Sequence, residues 1–299
     1  MIWLENFKDR PAVCIQNSQV KATFLPLDGA KMVSLVRLKD GKELLAVKPN
    51  KNYKVLTFDG DYVSSECSGF DDMFPTVDPY TPTVGAFKGI TYPDHGETSR
   101  IPYDLKTTGG EIILFAKSKL FDITYEKRIF INNDVLTVNY AITNNGENDF
   151  PFLWAGHIML DGRNVSKTIT PFDNNAPTEI MFAPSGVDGT ELAKDRLTGF
   201  IAKSGSAYKF YYTDKMSKGV FGVEYLDGEQ LIFEVDENKL PYLGMWLNNG
   251  EFQDIYTITP EPCSVPYDRP DRAEQKGITS IIKSHSTFQF DFKIYIKEN

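Results

Sequence analysis

The stretch TFQFDFKIYI, Thr287 to Ile296, alternates apolar residues with more polar ones. Successive side chains of a β-strand point to opposite faces, so a period of two predicts a strand with one face in the core. The segment from Leu136 to Ile142 repeats this pattern with Leu, Val, Tyr and Ile at alternate positions. Both segments are typical of half-buried antiparallel strands.

Turn signals separate similar segments along the whole chain. They are built from Gly, Asn and Asp, which tolerate positive φ, as in Asp40-Gly41, Gly109-Gly110, Asn144-Asn145-Gly146 and Asp227-Gly228. The best helical window, 189–199, is short and polar and predicts at most one or two turns. No linker or repeat interrupts the pattern, so we predict one all-β domain over residues 1–299, a large antiparallel β-sandwich with little helix.

Composition and charge argue against several kinds of partner. The chain has 299 residues and a net charge of −9, whereas nucleic acid binding requires a basic face. No run is long enough to span a bilayer and no export signal is recognisable, so we expect a soluble protein that does not bind membranes. Three cysteines without paired spacing, Cys14, Cys67 and Cys263, favour reduced thiols and a cytoplasmic location.

Two long irregular segments, 67–100 and 260–277, are rich in Pro, Asp, Tyr and Gly. Long loops on a rigid β scaffold often carry binding chemistry, although polar loops are also simply solvated. The first segment places His95, Glu97 and Arg100 within six positions of one another. These residues are candidates for a site, and an ordinary exposed loop is the alternative.

His157 and Glu261 are the two residues best suited to proton transfer. His157 lies in the apolar run PFLWAGHIML, residues 151–160, where a buried imidazole requires partners. It is therefore either a satisfied core histidine or part of a site. Glu261 is flanked by two prolines, which restrict the backbone around a carboxylate that could act as a general base, although such prolines also occur in plain loops.

A metal site is the first chemical alternative, with His95, Glu97 and His157 as possible ligands. The zinc-deaminase pattern requires a second cysteine after Cys263, and that cysteine is missing. The sequence also lacks a G-x-S-x-G nucleophile motif and a phosphate-binding glycine loop. A carboxylate and an imidazolium can open a pyranose ring without metal or cofactor, because one removes the proton of the anomeric hydroxyl and the other protonates the ring oxygen.

Five short motifs occur in an order that resembles the aldose 1-epimerase, or galactose mutarotase-like, family. They are G-x-D-x-M-F-P (Gly69–Pro75), P-D-H-G-E (Pro93–Glu97), a histidine in an aromatic strand (Trp154–Leu160), P-Y-L-G-M-W (Pro241–Trp246) and E-P-C (Glu261–Cys263). The resemblance covers most of the chain. It implies a large antiparallel β-sandwich, in agreement with the strand pattern.

The resemblance also implies residue roles and no cofactor. Glu261 would be the general base, His157 the general acid, and His95 a second histidine that hydrogen-bonds the sugar. The remaining substrate-binding candidates, near the sugar hydroxyls or along the pocket wall, are Asp72, Glu97, Arg100, Phe74 and Trp246. His285 lies in a polar stretch and is expected at the surface.

Two departures from the family pattern concern sugar recognition. Asp71 and Asp72 stand where the better-known galactose mutarotases carry an Asn-Arg pair, and Glu97 makes the second motif H-G-E rather than H-G-G. An acidic loop disfavours a sugar phosphate, so a neutral aldose is the expected small-molecule partner. Two alternatives stay open: a carbohydrate-binding protein without turnover, and another carbohydrate-active enzyme such as a lyase, a hydrolase or a different epimerase. The sequence makes no prediction of oligomeric state.

Overall fold

The computed structural model describes residues 1–173, 175–183 and 205–297. The helical window predicted at 189–199 lies outside these residues. The described strands, in chain order, are β1 (Ile2–Phe7), β2 (Arg10–Gln16), β3 (Val20–Leu25), β4 (Lys31–Arg37), β5 (Lys42–Glu43), β6 (Phe70–Met73), β7 (Asp104–Thr108), β8 (Glu111–Lys117), β9 (Ile123–Asn132), β10 (Val135–Asn144), β11 (Phe150–Pro151), β12 (Ala155–Ile158), β13 (Leu160–Asp161), β14 (Val165–Ile169), β15 (Thr178–Phe182), β16 (Ser206–Tyr212), β17 (Val220–Tyr225), β18 (Gln230–Val235), β19 (Tyr242–Asn249), β20 (Tyr256–Cys263), β21 (Ile281–Ile282) and β22 (Ser286–Lys297).

Two antiparallel sheets contain most of these strands. The larger sheet has the order β1-β2-β3-β4-β6-β12-β20-β19-β16-β15, with β5 beside β4 and β13 beside β20. The smaller sheet has the order β14-β17-β18-β22-β10-β9-β8-β7, and β11 pairs with β21 separately. Helical structure within the described residues consists of α1 (Pro270–Gln275) and two 3-10 turns, Thr98–Arg100 and Gly162–Asn164. The predicted all-β sandwich is confirmed.

The two segments that predicted strands are neighbours in the smaller sheet. Leu136 of β10 lies opposite Ile294 of β22, and Val138 lies opposite Phe292, so the alternating apolar positions share one face. Phe292 is fully buried and its ring lies 5.2 Å from that of Phe70 on the larger sheet. This contact joins the two sheets, and truncating a buried Phe to Ala costs about 3–5 kcal/mol.

The side chains on the two faces of the larger sheet belong to different hydrophobic clusters. Phe70 and Ile158 point toward the smaller sheet and belong to the main core. Met73, Ala155 and Cys263 belong to a second cluster on the opposite face. We call this opposite face, which is turned away from the smaller sheet, the outer face.

Within the described residues no helix is long and apolar enough to cross a membrane. The three cysteines are unpaired, and Cys14 and Cys263 are buried.

Candidate active site

Three ionisable side chains meet on the outer face at the centre of the larger sheet. His157 lies on β12, Glu261 on β20 and Lys209 on β16. Strands β12 and β20 are neighbours, and β19 separates β20 from β16. His157 Nε2 lies 3.7 Å from Glu261 Oε1, and Lys209 Nζ lies 2.8 Å from Glu261 Oε2.

Two motif glycines permit the close approaches that build this region. Gly244 lies opposite Glu261 in the β19–β20 pairing, and a Cβ at this position would be 2.7 Å from Tyr211 Cε1. Gly96 has a φ of 74°, and a Cβ there would lie 2.3 Å from the carbonyl oxygen of Phe74. Any side chain at either position would force its neighbour away. The glycines of P-Y-L-G-M-W and P-D-H-G-E are therefore required for close packing around the site.

Glu261 is fully buried among charged neighbours. Burial raises the pKa of Glu261 above its usual value, and Asp268 raises it further, while Lys209 acts in the opposite direction. Burial alone would lower the pKa of Lys209, but Asp268 and Glu261 raise it overall, so this side chain stays an ammonium ion. Lys209 Nζ also lies 2.8 Å from Asp268 Oδ1, to which the Tyr211 hydroxyl donates a hydrogen bond of 2.7 Å. The ammonium is thus shared between two carboxylates.

His157 is almost completely buried, and its second ring nitrogen has a partner. Nδ1 lies 3.1 Å from the Tyr62 hydroxyl oxygen, and that hydroxyl donates a 2.8 Å hydrogen bond to Asp71 Oδ2. Burial lowers the pKa of His157 well below 6.5, and electrostatic interactions with His95, Lys209 and Lys31 lower it further. The imidazole is therefore neutral at pH 7.

His95 lies beside this pair and is the more exposed of the two histidines. Its ring stacks on Tyr62 at 3.7 Å between centroids and lies 5.6 Å from the ring of His157. The backbone at His95 is left-handed, with a φ of 56°, and its N–H donates to Val77 O. The structure thus brings His95, His157 and Glu261 together, as the sequence predicts.

Trp246 lies on the same sheet face. It lies opposite Lys209 on β16 and opposite Thr259 on β20. Thr259 precedes Glu261 by two residues, so Trp246 is a diagonal cross-strand neighbour of Glu261. Its ring contacts those of Phe252 and Phe182, at 5.4 Å and 5.8 Å between centroids. These rings form an apolar surface beside the charged groups.

Asp72 and Phe74 do not lie with the cluster, which corrects the expectation that they contact substrate. Adjacent residues of a strand point to opposite faces, so Asp71 faces His157 while Asp72 points toward the smaller sheet. There Asp72 pairs with Lys127 and accepts a 2.8 Å hydrogen bond from the Tyr140 hydroxyl. Phe74 is fully buried in the main core.

Glu97 and Arg100 are also structural, which corrects a second expectation. Glu97 is fully buried and accepts hydrogen bonds from Ser118 Oγ, the Tyr125 hydroxyl and the N–H groups of Lys119 and Leu120. Arg100 donates to the carbonyl oxygens of Gly96, Thr57, Phe58, Gly60 and Asp94. Buried charges require such partners, so these two residues fasten the loops that carry His95 and Tyr62.

The proposed metal ligands are not assembled. Glu97 is directed at residues 118–125, away from His157. Across the described ranges, no three His, Cys, Asp or Glu side chains form a group suited to a metal ion. Of the three histidines, His285 is exposed beside Glu147, as expected.

Sequence reasoning missed Lys209, Tyr62, Lys31 and Asp268. A signal was available for Lys209, because it interrupts the apolar strand SAYKFYY, residues 206–212, much as His157 interrupts its own strand. Tyr62, Lys31 and Asp268 lie in segments whose neighbours give no comparable contrast. Only the folded chain brings them to the site.

No family model matches the sequence, and no curated protein matches it. Solved structures do match over the full length. The Slr1438 protein from Synechocystis sp. PCC 6803 has a TM-score of 0.71 at 14% identity, covering 99% of this chain and 100% of that one. A galactose mutarotase-like protein from Clostridium acetobutylicum has a TM-score of 0.68 at 16% identity, covering 100% and 99%.

A galactose mutarotase related enzyme from Lactobacillus acidophilus has a TM-score of 0.64 at 16% identity, with 96% of this chain and 97% of that one covered. Identities this low establish the fold alone. The chain has the galactose mutarotase-like fold, and the resemblance found in the sequence is confirmed at that level.

Proposed function

We propose that this protein, a chain with the galactose mutarotase-like fold, is an aldose 1-epimerase-like isomerase that interconverts the α and β anomers of an unphosphorylated sugar. One observation carries the proposal. His157 Nε2 and Glu261 Oε1 lie 3.7 Å apart on the outer face, with His95 beside them. That separation exceeds a hydrogen bond, so the two groups are not hydrogen-bonded to each other.

The anomeric carbon of a pyranose carries two oxygens, and ring opening requires that O1 lose a proton and that O5 gain one. Glu261 removes the proton from O1, the C1–O5 bond breaks with its electron pair moving to O5, and His157 protonates O5. The product is the open-chain aldehyde. Rotation about C1–C2 followed by the reverse transfers closes the ring on the other face, so both groups return to their initial state without cofactor.

The neighbours of the pair support these roles. Lys209 offsets the burial of Glu261 and favours the ionised carboxylate that a base requires. His95 is positioned to hydrogen-bond the sugar, and Trp246 with Phe252 offers an apolar surface for the C–H face of a pyranose. The three unpaired cysteines favour a cytoplasmic location.

The charge balance favours a neutral sugar over a sugar phosphate. Lys209 lies between Glu261 and Asp268, and Lys31 lies 2.9 Å from Asp71. Both ammonium groups are therefore already matched by carboxylates, whereas phosphate recognition requires cations that the protein does not itself neutralise.

NMR exchange spectroscopy on α-glucose and α-galactose tests the proposal. The protein should accelerate exchange between the two anomers above the buffer rate, and EDTA should leave the acceleration unchanged because only side chains transfer protons. Exchange at the buffer rate for every neutral aldose tried would refute the proposed activity.

Carbohydrate binding without turnover is the second candidate. The observation that favours it is the near-complete burial of His157, which lowers the pKa of the imidazole, since a neutral imidazole does not protonate O5. Calorimetric binding of a sugar whose anomers exchange only at the buffer rate would support this candidate.

A further inference from the structure

A continuous chain of buried polar contacts runs behind His157. Lys31 Nζ lies 2.9 Å from Asp71 Oδ2, the Tyr62 hydroxyl donates to the same oxygen at 2.8 Å, and His157 Nδ1 lies 3.1 Å from the Tyr62 oxygen. All four residues are at most 4% exposed. The chain joins β4, β6 and β12 to the segment that precedes β6.

The proton positions in this chain follow from the chemistry of its members. Beside the Lys31 ammonium, Asp71 is a carboxylate and can only accept hydrogen bonds. Tyr62 has a single hydroxyl proton, which it donates to Asp71. The Tyr62 oxygen can then interact with His157 only as an acceptor, so Nδ1 of His157 must carry a proton. Nε2 of the neutral ring is left with a free lone pair, and it is the atom that faces Glu261.

We propose that Lys31, Asp71 and Tyr62 are positioning residues that hold His157 in its Nδ1–H tautomer and direct Nε2 toward Glu261. None of the three lies between His157 and Glu261, so they act through the imidazole. The meaning of this arrangement for turnover rests on the proposed function: with Nδ1–H fixed, any proton that His157 gains or loses passes through Nε2.

Tyr62 couples the chain to the second histidine as well. Its ring stacks on His95 with an interplanar angle of 5°, while its hydroxyl contacts His157. Loss of the hydroxyl alone therefore breaks the chain and keeps the stacking surface. Tyr62→Phe is the substitution that isolates the hydrogen bond.

The tautomer can be observed directly in the intact protein. Long-range 1H–15N correlation spectra of protein labelled with 15N-histidine, recorded where His157 is neutral, report which ring nitrogen carries the proton. A His157→Gln variant identifies the signals. We expect a protonated Nδ1 and a bare Nε2, and a protonated Nε2 in the wild-type protein would overturn the proposal without any variant of the chain having to fold.

Tyr62→Phe should shift the His157 signals toward the Nε2–H form and lower kcat about 10- to 100-fold, a part of the ~10²–10⁴-fold that a proton-transfer group contributes. KM should change little, because His95 keeps its stacking partner. Tyr92→Phe is the matched control, since the Tyr92 hydroxyl is buried without a hydrogen-bond partner among the described residues. An unchanged tautomer in Tyr62→Phe would contradict the proposal.

The two readouts separate this inference from the proposed function. A wild-type protein that exchanges no sugar but shows the Nδ1–H tautomer would refute the activity and support the chain of contacts. A wild-type protein that exchanges sugar with Nε2 protonated in the neutral ring would support the activity and refute the chain.

Discussion

Lys209 Nζ lies 2.8 Å from Glu261 Oε2, although the two residues belong to strands separated by β19. A fully buried carboxylate would ordinarily take up a proton, because burial penalises its charged form. The ammonium group opposes that penalty, and Asp268 on its other side holds the lysine in place. The ionisation of the candidate base Glu261 therefore depends on Lys209 and Asp268 as well.

Glu261→Gln should abolish turnover, with a loss on the order of 10²–10⁴-fold. The pKa of Glu261 is raised in the folded protein, so its charged form costs stability as pH rises through the folded pKa. A neutral amide removes that cost, and Lys209 keeps Asp268 as a carboxylate partner, so the loss of melting temperature at pH 7 should be smaller than that of Lys209→Met. Exchange kinetics and calorimetry measure both effects. Glu147→Gln is the control, because Glu147 forms an exposed pair with His285; retained activity in Glu261→Gln would exclude this base.

Lys209→Met should move the acidic limb of the activity profile to higher pH. Without the ammonium, the main group that opposes the effects of burial and Asp268 on the pKa of Glu261 is lost, so the ionised base forms only at higher pH. Removing one member of a buried ion pair also costs about 3–5 kcal/mol of stability. Lys209→Arg should restore part of the stability and move the acidic limb part of the way back to lower pH. Lys283→Met, at a surface pair with Asp149, is the control, and an acidic limb that stays in place would show that Lys209 does not act on Glu261.

Turnover should fall as pH rises toward and above 7. His157 must be protonated to act as an acid, and its pKa is lowered well below 6.5, so the protonated fraction declines as pH rises through the folded value. Glu261 must be ionised, and its raised pKa sets the decline at low pH. The kcat/KM profile measured by NMR exchange should thus be bell-shaped, with its acidic limb set by Glu261 and its decline toward neutral pH set by His157. A maximum on the alkaline side of pH 7 would contradict these roles.

Asp72→Asn should reduce stability and leave catalysis in the folded protein intact. Asp72 pairs with Lys127 between the sheets, and loss of one partner of such a pair costs about 3–5 kcal/mol. Urea denaturation measures the loss of stability, and kcat/KM at low temperature measures catalysis by the folded protein. Asp291→Asn, at an exposed hydrogen bond to Asn139, should change neither. A selective rise in KM for Asp72→Asn would indicate that Asp72 contacts the substrate and would contradict its structural role.

The sequence by itself determined the fold class and indicated the candidate pair His157 and Glu261, which the structure brings close together. Alternation in β10 and β22 is a local property of the chain, and it predicted two strands that prove to be neighbours in register. The order of five motifs identified His95, His157 and Glu261, which the structure brings together. The alternation and each single motif can be read from a few adjacent residues, and the order of the motifs from the linear sequence.

The tertiary structure alone decided which of the remaining residues face the site. Asp71 and Asp72 are equivalent in sequence, but the pleat of β6 directs Asp71 toward His157 and Asp72 toward the smaller sheet. Lys209 meets Glu261 because β19 separates their strands by one step, a relation set by strand order and register. Such contacts join residues distant along the chain, so local sequence patterns do not encode them.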